Sequence, residues 1–250
     1  MTSGKVWLVG AGPGDPELLT LKAVKALQAA EVILCDDLVH EDVLAHANAA
    51  ARIVRVGKRG GKASTSQTFI MRLMIAEARR GLRVVRLKGG DPMIFGRGGE
   101  ECAALAAAGI AFEVVNGITS GLAAATAIGV PLTHRDFCHG VALVSGTSND
   151  WNALAKSGLP LVIYMGVSRA GDIAEALIAA GLEPGTPAAA ISNATRAVQQ
   201  SIVTTLGKLE LEMTRSGIAS PAILVVGSIA GLAPGAPLEV PQQIQQGRST

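Results

Sequence analysis

Aromatic residues are scarce in this 250-residue chain: four Phe, two Trp and one Tyr, 3% of the total. That shortage excludes a surface that holds its ligand mainly by stacking, as single-strand nucleic-acid binders do. Cysteine is nearly as rare. Cys35, Cys102 and Cys138 are odd in number and show neither CxxC nor Cys/His ligand spacing. A disulfide framework and a zinc site are thereby excluded; no metal is expected, and free thiols fit a reducing cytoplasm. Long apolar runs are missing too. The longest uncharged stretch, 216–238, is broken by Pro221, Pro234, Pro237 and several glycines, and its apolar heart is only Ala222 to Val226. It reads as a buried strand and a loop, so no membrane span is expected. Residues Met1 to Gly14 carry one Lys and reach a Gly/Pro turn after five strand-like residues, which is no secretory signal.

Hydrophobic residues are 49% and charged ones 17%, beside 30 Gly and 11 Pro. These proportions specify an aliphatic core with many turns and exclude a disordered chain or a coiled coil. The net charge of +2 hides an uneven distribution. Residues 52–97 hold 12 Lys/Arg against 2 Asp/Glu, a local +10, while the rest holds 10 against 18, or −8. One segment is cationic within a nearly neutral protein.

Short strands are expected at Lys5–Val9, Val32–Cys35, Arg52–Val56, Arg83–Lys88 and Ala111–Val115, with helices over 18–30, 67–80 and 98–108 between them. Gly81 and Gly109 mark helix ends, and Ser64, Thr65 and Ser66 are capping candidates. Alternating strand and helix predicts an open, mostly parallel sheet with helices on its faces. Beyond Pro131 the pattern changes to strands at Val141–Ser145, Leu161–Met165, Ala188–Ile191, Ser201–Thr205 and Ala222–Val226, with helices at 168–180 and 207–214. The reading is α/β with two domains, 1–135 and 136–240, and a polar flexible tail, 241–250.

Three glycine loops carry the chemistry. Gly10-Ala11-Gly12-Pro13-Gly14-Asp15 follows the first strand but fails as a dinucleotide fingerprint. Asp15 replaces the third glycine, and Pro13 and Pro16 prevent a helix N-terminus from forming where a pyrophosphate needs one. Val56 to Ser64 resembles a phosphate loop only loosely: Lys62 is followed by Ala63, so no hydroxyl is placed for magnesium, and a solvated basic loop is the simpler reading. Lys88-Gly89-Gly90-Asp91-Pro92 ends a strand, where open α/β sheets bind ligands; a tight turn explains it equally well in isolation.

Taken together, these segments resemble the tetrapyrrole methylases. Val9 to Thr20 is similar to that family's N-terminal signature. Val84 to Glu101, VVRLKGGDPMIFGRGGEE, is similar to its second signature in the form found in the uroporphyrinogen-III C-methyltransferase branch. The likeness continues through Val115–Ser120, Gly129–Arg135, Tyr164-Met165-Gly166, Asn193-Ala194-Thr195 and Ser220-Pro221-Ala222, from about residue 5 to 230. The resemblance implies two α/β domains, each a mixed or parallel sheet flanked by helices, with the active site in the interdomain cleft, and a homodimer. It implies S-adenosylmethionine as methyl donor, leaving S-adenosylhomocysteine, with contacts at Pro13, Gly89, Gly90, Asp91, Ile94, Thr119, Ser120, Met165 and Ala194. The implied substrate is uroporphyrinogen III, methylated at C-2 and C-7 to precorrin-2 through precorrin-1. The implied acid/base pair is Asp36 and Lys58. Arg97 and Arg135, with Glu100 one helical turn after Arg97, are the expected holders of a substrate with eight carboxylates, because a guanidinium grips a carboxylate bidentately.

The chain departs from the family pattern at Cys35 and Asp37, where Tyr and Arg are common, at Asn116, where Pro is usual, and at Ala194, where Gly is common. Asp37 leaves open how that edge of an anionic-substrate site is neutralised. Within the family, a methylase of a later precorrin or cobalt-precorrin is the alternative. From other classes, a nucleic-acid binder using residues 52–97 and a non-catalytic tetrapyrrole carrier compete; only Phe69 and Phe95 interleave those charges, so no nucleic-acid partner is expected. At 250 residues the chain is too short to contain a fused dehydrogenase/ferrochelatase half as well.

Overall fold

Alternating β-branched and aliphatic residues build the first sheet of this computed structural model, which describes residues 4–57, 66–147 and 149–236. Its strands are β1 (Lys5–Gly10), β2 (Val32–Cys35), β3 (Arg52–Arg55), β4 (Arg83–Lys88) and β5 (Ala111–Val115). They lie in the order β3-β2-β4-β1-β5, and every pairing is parallel. Helices α1 (Leu21–Ala29), α2 (Gln67–Arg79) and α3 (Gly98–Ala107) make the crossovers. Thr20 Oγ1 caps α1 by accepting from Ala23 N at 3.1 Å, and Ser66 Oγ caps α2 by accepting from Phe69 N at 3.2 Å. Asp15 accepts from Glu17 N at 2.8 Å in a 3-10 turn, Pro16–Leu18, so α1 starts only after the glycine loop has closed.

Strand alternation sends side chains to two buried faces. Val9, Ile33, Val85 and Leu87 pack with Ala23 and Leu27 of α1. Val6, Leu8, Leu34 and Val84 pack with Met74 of α2 and Leu105 of α3. A central parallel strand covered on both sides reads as a nearly continuous apolar run. β4 breaks that rule at Arg86 and Lys88.

The second sheet is mixed. β6 (Ala142–Ser145) runs parallel to β7 (Leu161–Tyr164), and β10 (Ala222–Val226) lies antiparallel between β7 and β8 (Pro187–Ser192). β9 (Gln200–Thr205) closes the far edge against β8. Helices α4 (Ser120–Ala127), α5 (Trp151–Lys156), α6 (Ala170–Ala179) and α7 (Leu209–Arg215) complete the list of α-helices among the described residues. Ile173, Leu177, Leu209 and Met213 of α6 and α7 bury against Ile163, Ala190 and Leu224.

The chain divides into two compact units, Met1–Ser120 and Gly121–Thr250. Residues 121–135, grouped with the first domain in the sequence reading, therefore sit with the second unit. Gly121 N donates to the Tyr164 hydroxyl at 3.0 Å, and a Cβ on Gly129 would press on the Pro234 ring. The tail 241–250 lies outside the described residues, as does Lys58. Among the described residues no helix is long and apolar enough to cross a membrane.

Candidate active site

Because the first sheet is all parallel, the loops after β1, β2, β4 and β5 emerge at one edge, the carboxyl edge at which open sheets of this kind bind ligands. Three of them touch backbone to backbone. Gly12 N donates to Gly90 O at 3.2 Å, Gly90 N to Gly12 O at 2.8 Å, and Ala11 N to Lys88 O at 2.7 Å. The closeness depends on glycine: a Cβ on Gly10 would stand 2.6 Å from both Gly117 Cα and Gly90 O. Gly90 also has φ +66, a conformation L side chains rarely adopt.

Asp91 ties the cradle together. Its Oδ1 accepts from Met93 N at 2.7 Å; its Oδ2 accepts from Gly117 N at 3.0 Å and Asn116 Nδ2 at 3.2 Å. The sequence reading gave Asp91 to the cofactor; here its carboxylate already takes three donors and holds the β4 loop to the β5 loop. Asn116 supplies a donor that the more usual proline lacks. Gly89, Gly90 and the half-buried Pro13 and Ile94 sit on these loops, with buried Thr119 following and Ser120 opening α4.

Beside the cradle lies a charge cluster that the sequence reading missed apart from Asp36. Arg86, Lys88 and Glu101 have side chains only 2%, 4% and 0% exposed, against 28% for Asp36. Arg86 Nη2 donates to Asp36 Oδ1 at 2.6 Å, Nε to Glu101 Oε1 at 3.0 Å, and Nη1 to the carbonyls of Leu34 and Leu87. Lys88 Nζ stands 3.3 Å from Glu101 Oε1 and 3.7 Å from Asp36 Oδ2. Gln67 Nε2 donates to the same Glu101 oxygen at 2.8 Å. Burial lowers the Lys88 pKa, and the neighbouring Arg86 charge lowers it further. Burial likewise pushes the Cys35 thiol up to about 11. A sequence signal existed: residues 84, 86 and 88 share one face of a central strand, so two cations in that stripe need buried anions. Lys58, the expected partner of Asp36, lies outside the described residues.

Arg97 and Glu100 form a forked pair, Nε to Oε1 at 2.9 Å and Nη2 to Oε2 at 2.6 Å, with both side chains about half exposed. Arg97 has φ +57 and Phe95 φ +51, strained values for non-glycine residues in a loop that exposes its side chains. That conformation turns the Arg97 fork outward at the start of α3.

In the second unit the strained residues are Met165, Asn193 and Thr195, with φ of +55, +47 and +67. Met165, at the end of β7, is 53% exposed despite being apolar. Ala194 is buried between the other two. On either side of it are Ser192 Oγ and Arg196 Nε, buried atoms with no hydrogen-bond partner among the described residues. Arg135 is exposed at the tip of a tight turn, where His134 N donates to Cys138 O at 3.0 Å and Cys138 N to His134 O at 2.9 Å. Among the described residues no group of three His, Cys, Asp or Glu could hold a metal ion.

Set against known proteins, residues 5–210 match the family model of the Tetrapyrrole (Corrin/Porphyrin) Methylases. A uroporphyrinogen-III C-methyltransferase of Pseudomonas aeruginosa is 57% identical over 232 residues, 91% of this chain and 94% of that one. The crystal structure of a Thermus thermophilus uroporphyrin-III C-methyltransferase complexed with S-adenosylhomocysteine superposes with a TM-score of 0.80 at 42% identity, covering 92% of this chain and all of the other. A cobalt-precorrin-4 methyltransferase structure reaches 0.82 at 30% identity, over 90% and 95% of the two chains.

Proposed function

The chain belongs to the tetrapyrrole methylases, and on that premise we propose that it transfers methyl groups from S-adenosylmethionine to C-2 and C-7 of uroporphyrinogen III, giving precorrin-2 through precorrin-1. The observation that carries this reading is 57% identity to a uroporphyrinogen-III C-methyltransferase along 94% of that protein's length. The similarity to a cobalt-precorrin-4 methyltransferase, at 30% identity, reflects a shared fold around a different tetrapyrrole.

The residues present suit the methyl donor. The Gly12–Gly90 bridge brings bare backbone to the sheet edge, where an adenosyl group packs without meeting a Cβ. Asp91 keeps that backbone rigid, and Thr119 and Ser120 add hydroxyls beside it. In the second unit, taken by itself, Met165 offers an exposed thioether and methyl, and Ser192 Oγ and Arg196 Nε, without a hydrogen-bond partner among the described residues, flank Ala194. When bound, S-adenosylmethionine supplies an electrophilic methyl on a sulfonium.

The protein's main task is alignment. Holding the pyrrole carbon in line with the methyl–sulfur bond turns a bimolecular displacement into an effectively unimolecular one. The carbon's electron pair forms the new bond while the broken pair leaves with sulfur. The macrocycle then sheds a proton, and Asp36, the one member of the buried cluster that reaches solvent, accepts it, with Lys58 as the second acid/base group. Arg97, steadied by Glu100, and Arg135 hold substrate carboxylates. We place the enzyme in the cytoplasm as a homodimer, a reading supported by its three free cysteines and by the family pattern respectively.

The test is anaerobic incubation of the purified chain with uroporphyrinogen III and S-adenosylmethionine, followed by the absorbance of the product chromophore. Formation of the precorrin-2 spectrum is expected. No product with fully reduced substrate refutes the reading, and turnover only of a later precorrin replaces it with the alternative family member.

A further inference from the structure

Burying charge is expensive, and an ion network this deep is no more stabilising than well-packed apolar side chains of similar volume. Arg86, Lys88 and Glu101 therefore need another explanation for standing in the stripe of β4 and α3 where Val84 and Leu105 belong to the core. Their arrangement supplies one. The Arg86 guanidinium is gripped on every side, by Glu101, by two backbone carbonyls and by Asp36, so it has no freedom to turn. Asp36 Oδ1 is fixed by that grip. Oδ2 is left facing the Lys88 ammonium at 3.7 Å, and that ammonium is shared with Glu101. Glu101 Oε2 has no partner among the described residues, so the Glu101 charge is balanced through Oε1 alone.

We propose that Arg86, Lys88 and Glu101 are positioning residues for Asp36: they fix the direction of its carboxylate and set the charge against which it takes up a proton. The proposal rests on the assignment of Asp36 as the proton acceptor. The cluster is neutral, two cations against two carboxylates. A proton on Asp36 leaves two buried cations facing one carboxylate, and the exposed side of Asp36 gives that proton a path to solvent before the second methylation. Among the described residues the other charges near Asp36 are Asp37 beside it, Arg55 of β3, which donates to Cys35 Sγ, and Glu41, paired with Arg55. Gln67 from α2 is uncharged. Only Arg86 and Lys88 contact the Asp36 carboxylate among the described residues.

The experiment measures kcat and KM against pH, anaerobically, with uroporphyrinogen III and S-adenosylmethionine, for the full chain and for Asp36→Asn, Lys88→Met and Glu101→Gln. Removing the Lys88 charge moves the acidic limb of the kcat profile to higher pH, and removing the Glu101 charge moves it to lower pH, each by about one unit. KM for S-adenosylmethionine stays within about twofold, because Lys88 meets the cradle only through its backbone carbonyl, which Lys88→Met keeps, and the Glu101 side chain bonds to no backbone atom of the glycine loops among the described residues. Opposite shifts support the proposal; a purely structural role gives two folded variants with an unmoved profile, and that result overturns it. Should Lys88→Met fail to fold, the isosteric Glu101→Gln decides the matter alone. Full turnover in Asp36→Asn refutes the assignment of Asp36, whereas turnover lost there with unshifted profiles elsewhere refutes the positioning unit only.

Discussion

Replacing Gly10 by alanine tests the cradle at its tightest point. The new Cβ would lie 2.6 Å from Gly90 O and from Gly117 Cα and 2.5 Å from Gly117 N, all backbone atoms without a rotamer to escape by. Ordinary contact begins near 3.4 Å, so these neighbours must retreat by about 0.5–1 Å, and such overpacking costs about 1–3 kcal/mol. β1 pairs with both β4 and β5, so the retreat opens the Gly12–Gly90 bridge and carries the cofactor backbone away from its place. A misplacement on the order of 1 Å costs about a hundredfold in rate.

Calorimetric titration with S-adenosylhomocysteine and a thermal melt read both effects. Gly10→Ala is expected to bind S-adenosylhomocysteine about tenfold more weakly and to melt about 2–10 °C lower. The control is Gly99→Ala, in α3, where a Cβ meets nothing within 4 Å. There alanine replaces glycine in a helix and stabilises by about 0.5–1 kcal/mol, with affinity unchanged. Wild-type affinity and melting in Gly10→Ala would show that the loops have slack and that their close packing does not shape the cofactor site.

Three further outcomes follow from the same geometry. Arg97→Ala and Arg135→Ala are each expected to raise the KM for uroporphyrinogen III by about tenfold or more while S-adenosylhomocysteine affinity stays within about twofold; equal losses for both ligands would contradict their role as substrate holders. Asp91→Ala leaves Met93 N, Gly117 N and the Asn116 amide without their acceptor, so it is expected to destabilise by about 3 kcal/mol or more, read by denaturant titration, and to abolish cofactor binding. Glu113 is held down to about 2 by hydrogen bonds from Lys22 and Lys5. Its folded value lies below its unfolded one, so its stabilising share is present above about pH 4.5 and is lost as pH falls toward 2; Glu113→Gln should melt lower than the parent at pH 7 and match it near pH 2.

The strands were legible in the sequence because each is a short aliphatic run bounded by glycine, proline or charge, and all ten occur within a residue or two of their expected places. Two helices were not. α4 buries Gly121, Ala123, Ala124 and Ala125, so it has no polar face and no helical period to betray it, and without it the expected boundary stands 15 residues after the division at Ser120. α5 has six residues and no fully buried one. At the site, the glycine loops were legible because only backbone packing demands glycine at 10, 90 and 117. The tie that Asp91 makes between two loops was not, since an acid in a Gly-Asp-Pro turn looks the same in sequence whether or not its carboxylate takes donors from Met93, Asn116 and Gly117.

The basic segment changes meaning most. Its +10 suggests an open positive field for an anionic partner, yet its cations among the described residues are largely paired within the first unit. Arg52 and Arg80 share Glu77, Arg83 meets Glu31, Arg55 meets Glu41, and Arg86 and Lys88 are buried on Asp36 and Glu101. Four of the five acids in those pairs come from outside residues 52–97, which is why the local count misleads: neutralisation crosses strands and helices that are far apart in sequence. A polyanion such as RNA needs a continuous run of unpaired cations, and among the described residues Arg72 and Arg79 on α2 are the members of the segment that make no ion pair. A tetrapyrrole with eight carboxylates needs instead a few arginines at fixed points. The proposed function assigns that task to Arg97: its guanidinium, about half exposed, is held in a fork by Glu100 at the head of α3, so little side-chain entropy remains to be lost on binding.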